Sequence, residues 1–452
     1  MNYCSKDLYV ISLISWKYIN SGKWLTMKLN LQQKLKSYGD TYWNFEKIKR
    51  DGVHKIANYP AMMVAPMQHK LIEDVINMEG NISNIFDPFH GSGTTLVEGN
   101  RFGLDLIGID INPLANLITK VKLQGVNKDT IYNSNEELLL RINKYREKMM
   151  DLHYFEKIGK WFRKDVIHDL SIIRRSIIDE KDKRNREYYW TCMSDLVRKY
   201  SNTRSSTFKL HIKEENKIKI MENNIIEDFI CAVENNVNSF DTPKSNSKLL
   251  IQGDALDAMD KMEANSIDFI CTSPPYGDNG TTVTYGQFSI LSLLWIDHKD
   301  LSISSDELIK NFSAIDSSSL GGKINPVISK SDDIPSEVLV NLLKTISIEK
   351  QKKIKNFFHD YFIVIQKMIR VLKPGHMMVL TLGNRRVDNT EIKLDEITKE
   401  FCIKNGLEIE AEIDRSISRK RIPKMVSRIE NIGPVQSMNS ETVLIFRKGE
   451  SV

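Results

Sequence analysis

The chain has 452 residues, with 64 Lys plus Arg against 59 Asp plus Glu and a formal net charge of +5. A hydrophobic content of 41% beside 27% charged residues is that of a folded globular chain, and it argues against extended disorder, a collagen-like fibre and a polytopic membrane protein. The length leaves room for two or three compact units, and the slight positive balance permits a nucleic-acid partner without demanding one.

In chain order, residues 1–26 come first and read either as an extension upstream of the domain or as a poorly anchored tail. Their apolar stretch at 8–19 is interrupted by Ser12, Ser15 and Lys17. It is shorter than the roughly 20 apolar residues of a spanning helix, so no membrane partner is expected. Residues 27–126 read as the first part of a split domain. A strand ends at Asn84-Ile85-Phe86, the turn Asp87-Pro88-Phe89-His90-Gly91-Ser92-Gly93-Thr94-Thr95 follows, and a helix starts at Leu96. A second strand at 104–109 ends in Asp110-Ile111, before Asn112-Pro113 opens another helix. Strand, glycine turn, helix, strand and acid are the opening of a doubly wound α/β sheet.

The alternation then stops. Residues 127–246 form a mostly helical insert, with helical periodicity at 136–150, 161–178 and 222–237, and a polar linker at 241–247. Trp161 and Phe162 are expected in the insert's own core. Strand patterns return in 247–452, at 249–252, 267–272, 377–382, 407–413 and 442–446. With the first two they make a Rossmann-like sheet of seven strands. A Ser- and Gly-rich stretch at 297–348 reads as a long loop. The five cysteines, Cys4, Cys192, Cys231, Cys271 and Cys402, have neither metal-ligand nor disulfide spacing, so no metal is expected and a reducing cytoplasm is the expected compartment.

Two turns carry chemistry. In the first, Gly91 and Gly93 let backbone approach a ligand, and the helix that follows aims free amides and its positive end at it. Asp110, ending the second strand, suits the hydroxyls of a ribose. Asp254-Ala255, ending the third strand, lies where an adenine would sit, and Asp254 equally suits a helix N-cap. A glycine turn by itself can also be only a turn. The second site is Thr272-Ser273-Pro274-Pro275-Tyr276. Proline lacks an N–H, so the pair holds the strand end rigid and leaves carbonyls free. The Ser273 hydroxyl and Pro274 carbonyl can then accept from an exocyclic amine while Tyr276 stacks on the ring that bears it. The bland reading is a strand terminator with a packed tyrosine.

These motifs, in this order, resemble the S-adenosylmethionine-dependent DNA amino-methyltransferases, over roughly residues 60–125 and 248–447. The resemblance implies a seven-stranded Rossmann-like methyltransferase domain with S-adenosylmethionine as cofactor. Asp87, Pro88, Phe89, Gly91, Ser92, Gly93, Thr94 and Thr95 would border its methionine part, Asp110 and Ile111 its ribose, and Asp254 and Ala255 its adenine. Ser273, Pro274, Pro275 and Tyr276 would hold a flipped base for direct methyl transfer. The segment Ala65-Pro66-Met67-Gln68-His69-Lys70 resembles the family's additional cofactor-side motif. Serine at 273, where the N6-adenine enzymes more often have aspartate, favours N4 of cytosine over N6 of adenine. Cys271 sits in the apolar strand and reads as a small buried residue rather than a nucleophile.

The resemblance also implies double-stranded DNA as partner and a place in a restriction-modification system, with a cognate endonuclease as a further partner; oligomeric state stays open. Candidate DNA contacts are Arg198, Arg204 and Lys209 in the insert, Arg385 and Arg386 after a strand end, and Arg419, Lys420 and Arg421 between the last strands. Lysine and arginine reach phosphates, and arginine also reads base edges. Each cluster could instead be a solvated face. The other readings are an RNA amino-methyltransferase and a DNA-binding subunit without turnover.

Overall fold

A computed structural model of the chain describes residues 15–18, 24–27, 30–46, 48–148, 151–240, 244–279, 282–301, 311, 313–330, 333–388, 390–417, 425–429, 433–436 and 440–450. Its centre is a seven-stranded sheet made of β1 (Asn84–Asp87), β2 (Asp105–Asp110), β3 (Lys248–Gln252), β4 (Ile267–Thr272), β5 (Leu372–Leu382), β6 (Leu407–Ser416) and β7 (Ser440–Lys448). The spatial order is β3-β2-β1-β4-β5-β7-β6. Neighbours from β3 to β5 run parallel, and β7 is antiparallel to both β5 and β6. The strand order reverses between β1 and β4. In such a sheet the crevice at the carboxyl ends beside the reversal is where ligands bind.

Alternation along the strands divides the core between two faces. Ile85, Phe269, Cys271, Met377, Val379, Val443 and Ile445 point to one side. Phe86, Ile109, Ile270, Met378, Leu380, Leu444 and Phe446 point to the other. On the first side lie α1 (Ala65–Glu79), α2 (Thr94–Arg101) and α3 (Pro113–Gln124). The second is covered by α9 (Ile348–Val371) and α10 (Leu394–Lys404), whose Phe362 and Phe401 rings stack at 4.3 Å.

The insert supplies α4 (Ile131–Arg146), α5 (Lys164–Ile178), α6 (Lys183–Tyr200) and α7 (Ile225–Asn236). Three of these match the periodic stretches; α6 carries no such signal. Its Asn185, Glu187, Tyr188, Tyr189, Trp190, Thr191, Cys192, Met193 and Ser194 are all buried, and the polar members of that run interrupt the apolar stripe from which a 3.6-residue period is read. It lies between α3, α7 and α8 (Tyr285–Trp295). Two of its buried polar groups pair with residues outside it: Glu187 with Lys120 at 2.6 Å, and Trp190 Nε1 donating to Asp300 at 2.8 Å. Phe162 meets Trp295 edge-on at 5.6 Å, so the aromatics expected in a core of the insert's own belong to a core shared with α8 and one sheet face.

The stretch expected as a long loop contains short helices, Ala314–Ser317, Pro326–Lys330 and Glu337–Leu343. Asp316 fastens it to the start of α8 by accepting from Gly286 N at 2.9 Å and Gln287 N at 3.2 Å. Few apolar residues are needed for that anchoring, which is why the pattern reads as a loop. Among the described residues no helix is long and apolar enough to cross a membrane.

Candidate active site

Both chemical turns open on one cavity of about 1030 Å³ at the carboxyl edge of the sheet. Its walls include Pro88, Phe89, Gly91, Ser92 and Thr94 after β1, Asp110 and Ile111 at the end of β2, Asp254 and Ala255 after β3, and Ser273, Pro274, Pro275 and Tyr276 after β4. Residues far apart in sequence meet because consecutive parallel strands all end on this edge.

The first turn is built around two acids. Asp110 takes Gly91 N on one oxygen at 2.9 Å and Asn112 N on the other at 2.8 Å, locking the glycine turn to the end of β2. Burial raises its pKa, against the pull of His90. Gly91 and Gly93 have φ of +50° and +76°, where side chains are strained. A Cβ on Gly93 would lie 2.6 Å from Thr119 Cγ2. Thr119 Oγ1 in turn donates to the Gly91 carbonyl at 3.0 Å, and the buried Lys122 ammonium to the Ser92 carbonyl at 2.8 Å. Helix α2 starts without a side-chain cap, leaving first-turn amides for a ligand.

Asp87, Gly93 and Thr95 are not among the cavity's walls; they lie beneath the turn. Asp87 is fully buried and accepts Phe89 N at 3.1 Å and Thr272 Oγ1 at 2.6 Å, tying the first turn to the second. Burial pushes its carboxyl up to about 6. Because the folded value lies above the unfolded one, Asp87 contributes its full stability below the unfolded value near 4 and loses it as pH rises through about 6. Asp87→Asn keeps the acceptor oxygen and escapes that loss. The variant is therefore expected to melt higher than wild type at pH 8, by the equivalent of up to about 3 kcal/mol, and to converge on it below pH 4; a parallel pair of melting curves across that range would refute the assignment.

Asp254 accepts Leu256 N at 2.7 Å. It is thus the N-cap of Ala255–Asp260 and a cavity wall at once. In the second turn the Ser273 hydroxyl donates to the Thr381 carbonyl at 3.1 Å and stands 3.1 Å from the Tyr276 hydroxyl. Tyr276 donates to Glu441 at 3.2 Å. Cys271 is buried behind this turn and donates to Gln68 at 3.1 Å, with its thiol pushed up by burial, so it is a packed residue and not a nucleophile.

Several walls carried no motif. Tyr59 stacks on Tyr285 at 5.8 Å, and the Asn112 amide bridges Tyr59 at 3.0 Å to Ser289 at 2.8 Å. Tyr42, Asn44, Phe45, Lys49 and Arg50 form a further wall, together with Glu441 and Arg415. The density of aromatics in Tyr38-Gly39-Asp40-Thr41-Tyr42-Trp43-Asn44-Phe45 was the available signal for that wall. The segment Ala65-Pro66-Met67-Gln68-His69-Lys70 opens α1 and contributes Ala65, Pro66, Met67, His69 and Lys70 to the cavity.

The candidate DNA cations divide. Arg204, Lys209 and Arg386 are exposed, and Phe208 beside Lys209 lines the cavity. Arg198 is turned inward, donating to Thr207 O at 2.5 Å and lying over the Phe288 ring at 4.7 Å. Arg385 departs from the expected exposed cation: its side chain is 10% exposed, pairs with Asp278 at 3.1 Å and packs against Gly277 and the Phe357 ring. The loop after the second turn folds over it, so it braces that loop from behind and cannot reach a phosphate. Arg419, Lys420 and Arg421 lie outside the described residues.

Residues 4–121 match the family profile described as DNA methylase. The chain is 30% identical over 420 residues to the Type II methyltransferase M.MvaI of Kocuria varians, covering 87% of this chain and 90% of that one. It belongs to the S-adenosylmethionine-dependent DNA amino-methyltransferases. The Type II methyltransferase M.MjaII of Methanocaldococcus jannaschii is 33% identical over 136 residues, 25% of each chain. M.BsoBI of Geobacillus stearothermophilus, also a Type II methyltransferase, is 22% identical over 279 residues, 55% of this chain and 54% of that one.

The methyltransferase uses S-adenosylmethionine, and its cavity fits that group. Gly91 leaves the turn without a side chain where a Cβ would stand 3.5 Å from the Tyr59 ring, and the uncapped start of α2 offers donors to a carboxylate. Asp110 and Asp254 are acceptors on the neighbouring strand ends.

Proposed function

We propose that this methyltransferase modifies N4 of cytosine at a specific DNA sequence, as the modification enzyme of a Type II restriction-modification system. The observation that carries the reading is the shared cavity. The turn that would hold the cofactor and the Ser-Pro-Pro-Tyr turn that would hold the base face one volume, bridged beneath by the 2.6 Å bond from Thr272 to Asp87. S-adenosylmethionine supplies the methyl group as a sulfonium electrophile. On this reading Gly91, Ser92 and Thr94 hold its methionine end, Asp110 and Ile111 its ribose, and Asp254 and Ala255 its adenine.

The chain's own work is positioning. An exocyclic amine conjugated to its ring is a weak nucleophile; acceptors at Ser273 Oγ and the Pro274 carbonyl favour a tetrahedral nitrogen with its lone pair free. Holding such a nucleophile in near-attack geometry can remove roughly 7–11 kcal/mol of a bimolecular barrier. The base must leave the stack first, at a cost of a few kcal/mol. Serine at 273 supports cytosine, since a neutral hydroxyl stands where a carboxylate would mark the adenine enzymes. The exposed Arg204 and Lys209, next to Phe208 at the cavity, support the insert as part of the target-reading surface. The Type II names of the relatives support the restriction-modification role, with a cognate endonuclease as partner.

The test is transfer of labelled methyl from S-adenosylmethionine to duplex DNA, followed by digestion and nucleoside mass spectrometry. N4-methylcytosine is expected. N6-methyladenine would overturn the choice of base, and labelling of transfer RNA without labelling of DNA would overturn the substrate.

A further inference from the structure

Behind the second turn a chain of polar contacts crosses the sheet edge strand by strand. Ser273 and Tyr276 follow β4, and the Thr381 carbonyl that receives the Ser273 proton lies on β5. Glu441, which receives the Tyr276 proton at 3.2 Å, lies near the start of β7. Its other oxygen is bound by the Arg415 guanidinium from β6, in direct register with it. Arg415 is 6% exposed and also donates to the Trp43 carbonyl at 3.0 Å, while the next amide, Ser416 N, donates to Asn44 at 2.7 Å. Glu441 and Arg415 both line the cavity, yet neither belongs to a recognised motif.

We propose that Glu441 is a positioning residue for methyl transfer: by accepting the hydrogen bond of the Tyr276 hydroxyl it keeps that hydroxyl from donating to Ser273 and so leaves the Ser273 oxygen free as an acceptor for the target amine. The argument is a proton inventory. Each hydroxyl has one proton and two lone pairs. With the Tyr276 hydroxyl donating to Glu441 and the Ser273 hydroxyl donating to the Thr381 carbonyl, neither proton points into the cavity, and the Ser273 oxygen keeps a lone pair for an N–H donor. Without the carboxylate, Tyr276 can donate to Ser273, using the lone pair that the amine needs. The buried arginine holds the Glu441 side chain in place, and its bonds to Trp43 and Asn44 fix the N-terminal aromatic wall to the same device. Burial and Glu441 itself push the Tyr276 phenol up, so it keeps its proton and remains the donor.

The inference rests on the reading that Ser273 accepts from the target amine while Tyr276 stacks on its base, and the test separates the two. In full-length protein with cognate DNA, Glu441→Gln is expected to lower kcat roughly tenfold to a hundredfold with the S-adenosylmethionine Kd unchanged, and to melt lower than wild type because the buried Arg415 loses its charged partner. In a Tyr276→Phe background, which keeps the ring, the same change is expected to add less than about twofold, because the two act as one unit. Normal kcat in Glu441→Gln, or an undiminished loss in the Tyr276→Phe background, overturns the proposal. A loss of cofactor binding together with melting temperature would make Glu441 merely structural and also overturns it. Should the Gln variant fail to fold, Glu441→Asp keeps the charge on Arg415 but shortens the reach to Tyr276; it is expected to lose kcat at wild-type melting temperature, and normal kcat overturns the proposal. If Tyr276→Phe and Ser273→Ala both turn over normally, the base-pocket reading itself fails.

Discussion

Ser273→Ala and Tyr276→Ala are each expected to lower turnover by at least about a hundredfold while S-adenosylmethionine still binds. Ser273 stands between the Thr381 carbonyl and the Tyr276 hydroxyl, at 3.1 Å from each, and its oxygen faces the cavity. Alanine removes the acceptor, leaving the amine flat and conjugated, and the effect falls on kcat because the acceptor matters most as the nitrogen becomes tetrahedral. Alanine at 276 removes the ring as well as the hydroxyl, so a loosened base should raise the KM for DNA besides lowering kcat. Titration calorimetry with S-adenosylmethionine measures the cofactor side, which these residues do not build. Unchanged turnover in both variants would falsify the pocket assignment, and lost cofactor binding would mean that the two turns are not separable.

The opposite pattern is expected of Asp110→Ala. Its carboxylate satisfies Gly91 N and Asn112 N together, and removing it leaves two amides without acceptors beside a cavity that needs one of them fixed. A buried amide left unpaired costs about 1–3 kcal/mol, and the ligand acceptor at the end of β2 disappears with it. The S-adenosylmethionine Kd is therefore expected to rise by about a hundredfold or more. Asp110→Asn keeps one acceptor and should fall between. Turnover at saturating cofactor should recover substantially in the Asn variant, since Ser273 and Tyr276 are untouched. A Kd within about threefold of wild type in the Ala variant would show that the acid only shapes the turn.

Much of the fold was legible because strand ends, glycine turns and acids are local signals. Ile267 to Thr272 is buried at every position, and such a run announces a central strand wherever it is met. Helix α6 was not legible, since its buried side carries polar residues such as Asn185, Glu187 and Thr191 that blur the apolar period. The motif residues were found in the same way, but their division was not. Asp87, Gly93 and Thr95 belong to the same turn as Gly91, and only the direction of each side chain decides which lie beneath it. Arg385 and Arg386 are neighbours of identical chemistry in sequence; one is closed over by the loop at Gly277 and Asp278, the other faces Glu391 at the surface.

By itself the sequence determined the doubly wound sheet, the helical insert, the glycine turn after β1 and the Ser-Pro-Pro-Tyr turn, because each is set by backbone sterics and short-range patterns that survive without neighbours. The tertiary structure decided the rest: that Tyr42, Asn44, Phe45, Lys49 and Arg50 wall the cavity, that the insert shares a core with α8, and that Glu441 and Arg415 stand behind Tyr276. Those partners are brought together by strand order, through contacts such as Arg415 with Trp43 that span 372 positions, and no local pattern in the chain records a neighbour at that distance.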